Sequence, residues 1–236
     1  MILLDIEGTT TPIAFVTDIL VPYARAHLHA HLTRQSQSAH GVALFEAIRR
    51  EHAADAEAHA AIPAWNETGA EALASVEVYL VWLMEHDRKS PALKELQGYI
   101  WEHGYQYGEL MAPLYPDVAP AFVRWRQQGH ALGIFSSGSV LAQQWLFRRS
   151  TAGDLTPHLQ WYFDTQTGPK REPASYTSIA AVIGTPSADI LFISDVAAEL
   201  DAARTAGVRT ALAQRPGNPP QPPHPHRVIQ TFDEIW

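Results

Sequence analysis

The sequence predicts an α/β fold, a Rossmann-like parallel sheet with a helical domain inserted after the first strand. Three observations carry that expectation. Short apolar runs of strand character stop at small or acidic residues in ILLD (residues 2–5), HALGIFSSGS (130–139) and DILFISD (189–195). The second and third runs lead into the helical patterns SVLAQQWLFRRS and VAAELDAARTAG, and strands alternating with helices of this length form βαβ units and a parallel sheet. From about Ala14 to Gln106, by contrast, strand signal nearly vanishes, and Ala, Leu, Glu and His recur at helical spacing.

In chain order, the first strand ends at Asp5 and runs into EGTTTP. The helical insertion follows, with GAEALASVEVYLVWLMEH and SPALKELQGYIWEHGYQYGEL as its clearest helices and breaks expected near residues 62–65 and 87–91. DVAPAFVRWRQQG reads as a helix leading back to the sheet. The last βα pair closes with Gly207 as a helix C-cap, and VRTALA supplies a fourth strand. RPGNPPQPPHPHR, dense in proline, reads as an irregular surface loop. The expected division is a sheet domain of residues 1–13 and 114–236 around an inserted domain of residues 14–113.

Composition narrows the chemistry. With 17 Lys and Arg against 25 Asp and Glu, the net charge of −8 argues against broad nucleic-acid binding, which depends on basic side chains gripping phosphates. A local basic pocket for a small anion remains open. No cysteine is present, so disulfides, thiolate metal sites and cysteine nucleophiles are excluded. No stretch approaches the ~20 apolar residues of a membrane span, and the apolar start is too short for a signal-peptide core. A cytoplasmic protein without a membrane partner is expected.

In an open parallel sheet, ligands bind beyond the carboxyl ends of the strands, which is where Asp5, Ser136, Ser137 and Asp195 fall. Asp5 and Glu7 are two apart and so share a direction. Such a pair can divide labour, one as nucleophile or metal ligand and the other as general acid and base. A turn acid with a solvated neighbour fits the same motif. Ser136 and Ser137, where a strand passes into a helix, offer hydroxyls and free N–H groups to an anion; a plain serine N-cap is the competing reading. Lys170, in a loop before a helix begun by Pro173, can hold a phosphate or offset crowded carboxylates, or be merely solvated, and Arg171 is a weaker version of it. Asp195, with Glu199 one helical turn on, completes with Asp5 a pair of hard oxygen ligands of the kind Mg²⁺ takes. His27, His29 and His31 include an i,i+4 pair, but a solvated helix face is the expected reading. Neither a G-x-x-x-x-G-K-[ST] phosphate loop nor a G-x-G-x-x-G fingerprint occurs.

The order of these elements, D-x-[DE]-G-T-[TL], a strand ending in Ser, a loop Lys and a last strand ending in Asp, resembles the haloacid dehalogenase superfamily of phosphotransferases. Most of its members carry D-x-D at the first element. The form here, DIEGTT, together with DRKSPALKELQG, SSGSV, FDTQTGPK and RPGN, is similar to the enolase-phosphatase (acireductone synthase) family of methionine salvage. The resemblance spans the chain and implies that the insertion is a helical cap. It implies Asp5 as the nucleophile forming an aspartyl-phosphate and Glu7 as general acid and base. Mg²⁺ would be held by Asp5, Asp195 and the Glu7 carbonyl, and Ser136, Ser137 and Lys170 would bind phosphate. The residues of the enolisation step are not given by the sequence; the expectation is that Glu7 or a cap residue among Asp87, Arg88 and Lys89 assists it. The implied reaction enolises 2,3-diketo-5-methylthiopentyl-1-phosphate and removes its phosphate, in a monomer. A generic Mg²⁺-dependent capped phosphatase of another metabolite is the nearest alternative, and a non-catalytic phosphometabolite-binding module the alternative of another class.

Overall fold

The computed structural model describes all residues except 37, 59–60, 67–69, 87, 89 and 236. The chain divides into two compact units, Met1–Thr17 with Tyr105–Trp236, and Asp18–Gly104. A five-residue π-helical stretch, Val16–Leu20, spans the first boundary, preceded by one turn of helix, α1 (Ile13–Phe15).

The first unit is built on six parallel strands: β1 (Ile2–Leu4), β2 (Leu132–Phe135), β3 (Trp161–Phe163), β4 (Leu191–Ser194), β5 (Arg209–Ala213) and β6 (Arg227–Ile229), in the spatial order β3-β2-β1-β4-β5-β6. β1, β2 and β4 are buried along their whole length, as a sheet covered on both faces requires, so they read as continuous apolar runs. On one face Leu3, Phe135, Phe163 and Phe192 pack with Tyr176 and Ile179 of the helix Pro173–Ile183 and with Ala197, Leu200 and Ala203 of the helix Ala197–Thr205. Elsewhere in this unit Trp125 sits between Phe122 and Phe232, and all three are fully buried.

Register brings the site together. Leu4 pairs with Ile134 on one side and Ile193 on the other. The residues that follow these strands, Asp5, Ser136 and Asp195, therefore leave the same edge of the sheet. β1 stands at the point where strand order reverses, the usual place for a ligand in such a sheet.

The second unit consists of four helices, α2 (Val21–Gln35), α3 (Ala39–Ala58), α4 (Ala70–Glu85) and α5 (Pro91–Gln106), the last running past the boundary. Their core follows helical spacing: Ala24, Leu28 and Leu32; Leu44 and Ile48; Val76, Tyr79, Leu80 and Leu83; Leu93, Leu96 and Ile100. Ser90 caps α5 by accepting from the Leu93 N–H at 2.9 Å. The histidines of α2 depart from the expected solvated face. His31 is buried, and His27 stacks on Tyr23 with ring centroids 4.0 Å apart; His29 alone is exposed, beside Glu77 at 2.8 Å. The i,i+4 spacing that aligned His27 with His31 also put both on the flank of an inward-facing stripe.

Among the described residues no helix is long and apolar enough to cross a membrane. The helices of the first unit continue the numbering: α6 (Val118–Gln127), α7 (Val140–Arg148), α8 (Pro173–Ile183) and α9 (Ala197–Thr205).

Candidate active site

The loop after β1 is a tight knot of backbone. The N–H groups of Thr9, Thr10 and Thr11 all converge on the Ile6 carbonyl at 2.9–3.1 Å, and Gly8 N–H returns to the Thr11 carbonyl at 2.8 Å. Gly8 has φ +66, and a Cβ there would lie 2.3 Å from Asp195 Oδ2, so only glycine lets this loop pass the second strand-end acid. The three threonines are fully buried. The result is a rigid turn between Asp5 and the rest of the chain.

Asp5 is 4% exposed, and both its carboxylate oxygens are engaged. Oδ1 accepts from the Ile6 N–H at 2.7 Å, while Oδ2 lies 2.7 Å from Lys170 Nζ and 3.2 Å from Ser194 Oγ. The carboxylate therefore cannot rotate freely. Lys170, far from being a solvated loop lysine, is 7% exposed and reaches Glu199 Oε2 at 2.6 Å as well. Burial works against its charge, but the attraction and hydrogen bonds of Asp5 and Glu199 outweigh that and hold its pKa above the ordinary lysine value. Its own backbone is fixed: the Lys170 carbonyl accepts from the Tyr176 hydroxyl at 2.7 Å, and the Pro169 carbonyl from Ser175 Oγ at 2.7 Å. Arg171 stays exposed.

Glu199 is visible in the sequence only as an acid one turn beyond Asp195. It is buried in the first turn of α9 and is the second anchor of Lys170. Ser194 Oγ lies 3.0 Å from it and 3.2 Å from Asp5, and with a single hydrogen it donates to one carboxylate at a time. Glu7 differs from both buried acids in reaching solvent. Crowding protein desolvates its carboxyl and Asp5 repels it, with Lys170 opposing, and the sum pushes its pKa up to about 7. Asp195 is buried and likewise pushed up to about 7, by desolvation first and then by Asp5.

At the end of β2, Ser136 is buried and Ser137 exposed. Neither caps α7. That role falls to Ser139, whose side chain accepts from the Ala142 N–H at 3.2 Å, which leaves Ser136 and Ser137 at the edge beside Asp5. Gln143, which carries no signal in the sequence, donates to the Gly138 and Phe163 carbonyls at 2.9 Å each and pins this turn to β3. Arg88, in the other unit, pairs with Asp55 at 2.5 Å; Lys89, like Asp87, lies outside the described residues.

The donor set suits a hard cation. Asp5, Glu7, Asp195 and Glu199 crowd around the ammonium of Lys170, and burial first, then repulsion from Asp5, raises the pKa of Asp195. Among the described residues no group of three or more His, Cys, Asp or Glu side chains is arranged as a complete metal cage, so a cation here would rest on two strand-end carboxylates and a backbone carbonyl with water filling the rest, a set that Mg²⁺ accepts. A cation held by Asp195 would have to displace its proton, so the affinity of such a site should fall about tenfold per pH unit below 7. Calorimetry in buffers of different ionisation enthalpy should find proton release on Mg²⁺ binding near pH 7; no release, with affinity flat from pH 5 to 8, would disprove the assignment. Stability responds in the opposite sense. Folded-state pKa values raised to about 7 make the metal-free fold take up protons that the unfolded chain does not hold, so its melting temperature should rise as pH falls from 8 to 6.

A strand-end aspartate, a strand-end serine, a buried lysine and a second strand-end aspartate at one edge of a parallel sheet define a class, and the haloacid dehalogenase-like hydrolases match residues 1–207. Enolase-phosphatase E1 of Synechococcus elongatus is 52% identical over 99% of this chain and 96% of its own length. Enolase-phosphatase E1 of Pseudomonas fluorescens is 46% identical over 92% of this chain and 89% of its own. The crystal structure of the UTR4 protein of Saccharomyces cerevisiae superposes with a TM-score of 0.76 at 32% identity, covering 99% of this chain and 98% of that one. The chain belongs to the enolase-phosphatase E1 family of haloacid dehalogenase-like hydrolases, and it is a phosphatase.

Proposed function

We propose that the protein enolises 2,3-diketo-5-methylthiopentyl-1-phosphate and then removes its phosphate, giving the acireductone 1,2-dihydroxy-3-keto-5-methylthiopentene in methionine salvage. In this reading residues 1–13 and 114–236 are the catalytic core and residues 14–113 its cap, and the protein works as a cytoplasmic monomer on this small molecule, without nucleic-acid or membrane partners. The observation that carries it is the pairing of two unlike acids on one rigid loop: Asp5, clamped by Lys170 at 2.7 Å, and Glu7, pushed up to about 7. Acids whose environments differ in this way can take different roles in one reaction.

The Asp5 carboxylate attacks phosphorus, and the ester P–O bond breaks as Glu7 gives its proton to the departing enol oxygen. Glu7 then takes a proton from a water molecule, which attacks the same phosphorus; the Asp5–phosphorus bond breaks, and inorganic phosphate leaves with the carboxylate restored. A pKa near 7 suits a group that must be acid in one half-reaction and base in the next. Ser136 and Ser137 hold the phosphoryl oxygens. Lys170 keeps the nucleophile in place and offsets the charge of an anion approaching an anion. Asp5, Asp195 and the Glu7 carbonyl are the groups to hold Mg²⁺, which when bound supplies positive charge to the phosphoryl oxygens. In the enolisation, Glu7 or a cap residue among Asp87, Arg88 and Lys89 assists.

The test follows enol absorbance and phosphate release separately with the diketo phosphate. Glu7→Gln should slow phosphate release about 10²–10⁴-fold, the range of a positioned acid and base. Unchanged release would remove Glu7 from the mechanism. A wild type inert on this substrate but active on simpler phosphate esters would favour the generic capped phosphatase.

A further inference from the structure

The proline-dense loop after β5 is tied down at both ends. Arg215 is buried between the rings of Tyr115 and Phe232, 4.7 and 4.4 Å from their centroids, with Nη1 on Asp117 at 2.8 Å and Nε on the Thr9 carbonyl at 3.1 Å. At the far end the buried His226 ring bridges Thr210 Oγ1 at 2.8 Å and Asp201 Oδ1 at 3.1 Å. Between these anchors six prolines restrict the backbone.

Two side chains reach inward from this span, one to each wall of the site. Asn218 Nδ2 donates to the Gly8 carbonyl at 2.8 Å and to the Ala213 carbonyl at 3.1 Å. Both partners are acceptors, which fixes the amide orientation and leaves Oδ1 buried without a donor among the described residues. An amide kept despite that unmatched oxygen is there for its two donated bonds. Gln221 Oε1 accepts from the Ala197 N–H at 3.0 Å. Ala197 is the first residue of α9, whose own N-cap position, Val196, has no side chain able to cap. Gln221 therefore supplies from a distant loop the cap that α9 lacks, immediately after Asp195 and in the turn that carries Glu199.

We propose that residues 215–226 are a strap that sets the spacing between the Asp5–Glu7 loop and Asp195, with Asn218 and Gln221 as positioning residues for the cation site. Neither touches the reacting atoms. Asn218 holds the loop at Gly8, where there is no room for even a Cβ beside Asp195, and Gln221 holds the start of α9. A shift of either wall alters the distance between the two carboxylate ligands. The inference rests on the Mg²⁺ reading of the site.

The experiment measures Mg²⁺ dissociation constants by calorimetry, alongside thermal melts, for wild type, Asn218→Ala, Gln221→Ala and Gln221→Glu. The two alanine variants should bind Mg²⁺ about 10–100-fold more weakly, as loss of groups that support metal ligands does. Gln221→Glu keeps an oxygen for the Ala197 N–H and should restore affinity to the wild-type level or better. Alanine variants that bind like wild type overturn the strap, as does a Glu variant as weak as the Ala one. Should Asn218→Ala fail to fold, the Gln221 pair decides alone. A wild type that takes no Mg²⁺ overturns the strap together with the metal reading, whereas wild-type binding unmoved in the variants overturns the strap alone.

Discussion

Asp5→Asn should reduce phosphate release by about 10⁴-fold or more in kcat while leaving the fold intact, since removal of a nucleophile commonly produces losses of that order. The substitution is close to isosteric. Oδ1 still accepts from Ile6 N–H, and the chain still enters its turn at Gly8. What changes is the second position: an amide NH₂ cannot accept from Lys170 and cannot attack phosphorus. Stability should change little, because one fewer buried negative charge in a crowd of four offsets the lost pair with Lys170. Rapid-quench measurement of phosphate with the diketo substrate checks the rate, and circular dichroism checks the fold. Release within tenfold of wild type would end Asp5's candidacy as the nucleophile.

The strands that position this residue were legible because burial on both faces makes a parallel strand a plain apolar run, and an acid or serine marks its active end. β1, β2 and β4 all announce themselves in this way, while β5 is apolar and buried only over its last three residues. β3 and β6 give no such signal. Each has three residues, and Trp161, Tyr162, Arg227 and Val228 are only partly buried or exposed, so at the two margins of the sheet no apolar run forms to be read. Short, incompletely buried strands at a sheet margin owe their existence to the neighbour they pair with.

The same distinction runs through the site. Asp5, Ser136 and Asp195 could be named because each sits at or just past a strand end, and Lys170 because it stands in a loop just before a helix. Their environments could not. Lys170 reads as a loop lysine until tertiary structure places Asp5 and Glu199 within 2.7 Å of it, from positions far along the chain. SSGS offers three candidate caps, and where β2 stops decides that Ser139 takes the role. Asn218 and Gln221 sit in a stretch whose composition says only that it is irregular, and their hydrogen bonds go to carbonyl and amide groups, which leave no signature in sequence. RPGN was legible as a motif, but its work, Arg215 on Thr9 and Asn218 on Gly8, appears only in three dimensions.

Lys170→Met should be the most destabilising single change at the site. Methionine fits the buried stem, but among the described residues the ammonium is the only cation paired with Asp5 and Glu199, which then stand buried and uncompensated. Removing one partner of a buried pair costs about 3–5 kcal/mol, equivalent to a fall of roughly 6–20 °C in melting temperature for a chain of this length. The deficit should shrink as pH falls, because protonating Glu199, whose pKa burial already raises, removes a stranded charge. Combining Lys170→Met with Glu199→Gln should recover much of the stability, since the glutamine amide keeps its place beside Ser194 without the charge. Phosphate release should stay at least about 10²-fold down in both variants, because no buried cation then faces the nucleophile and the phosphoryl group. Recovery of stability without recovery of turnover separates the two roles of this lysine. Full activity in the double variant would reduce Lys170 to a structural counter-ion.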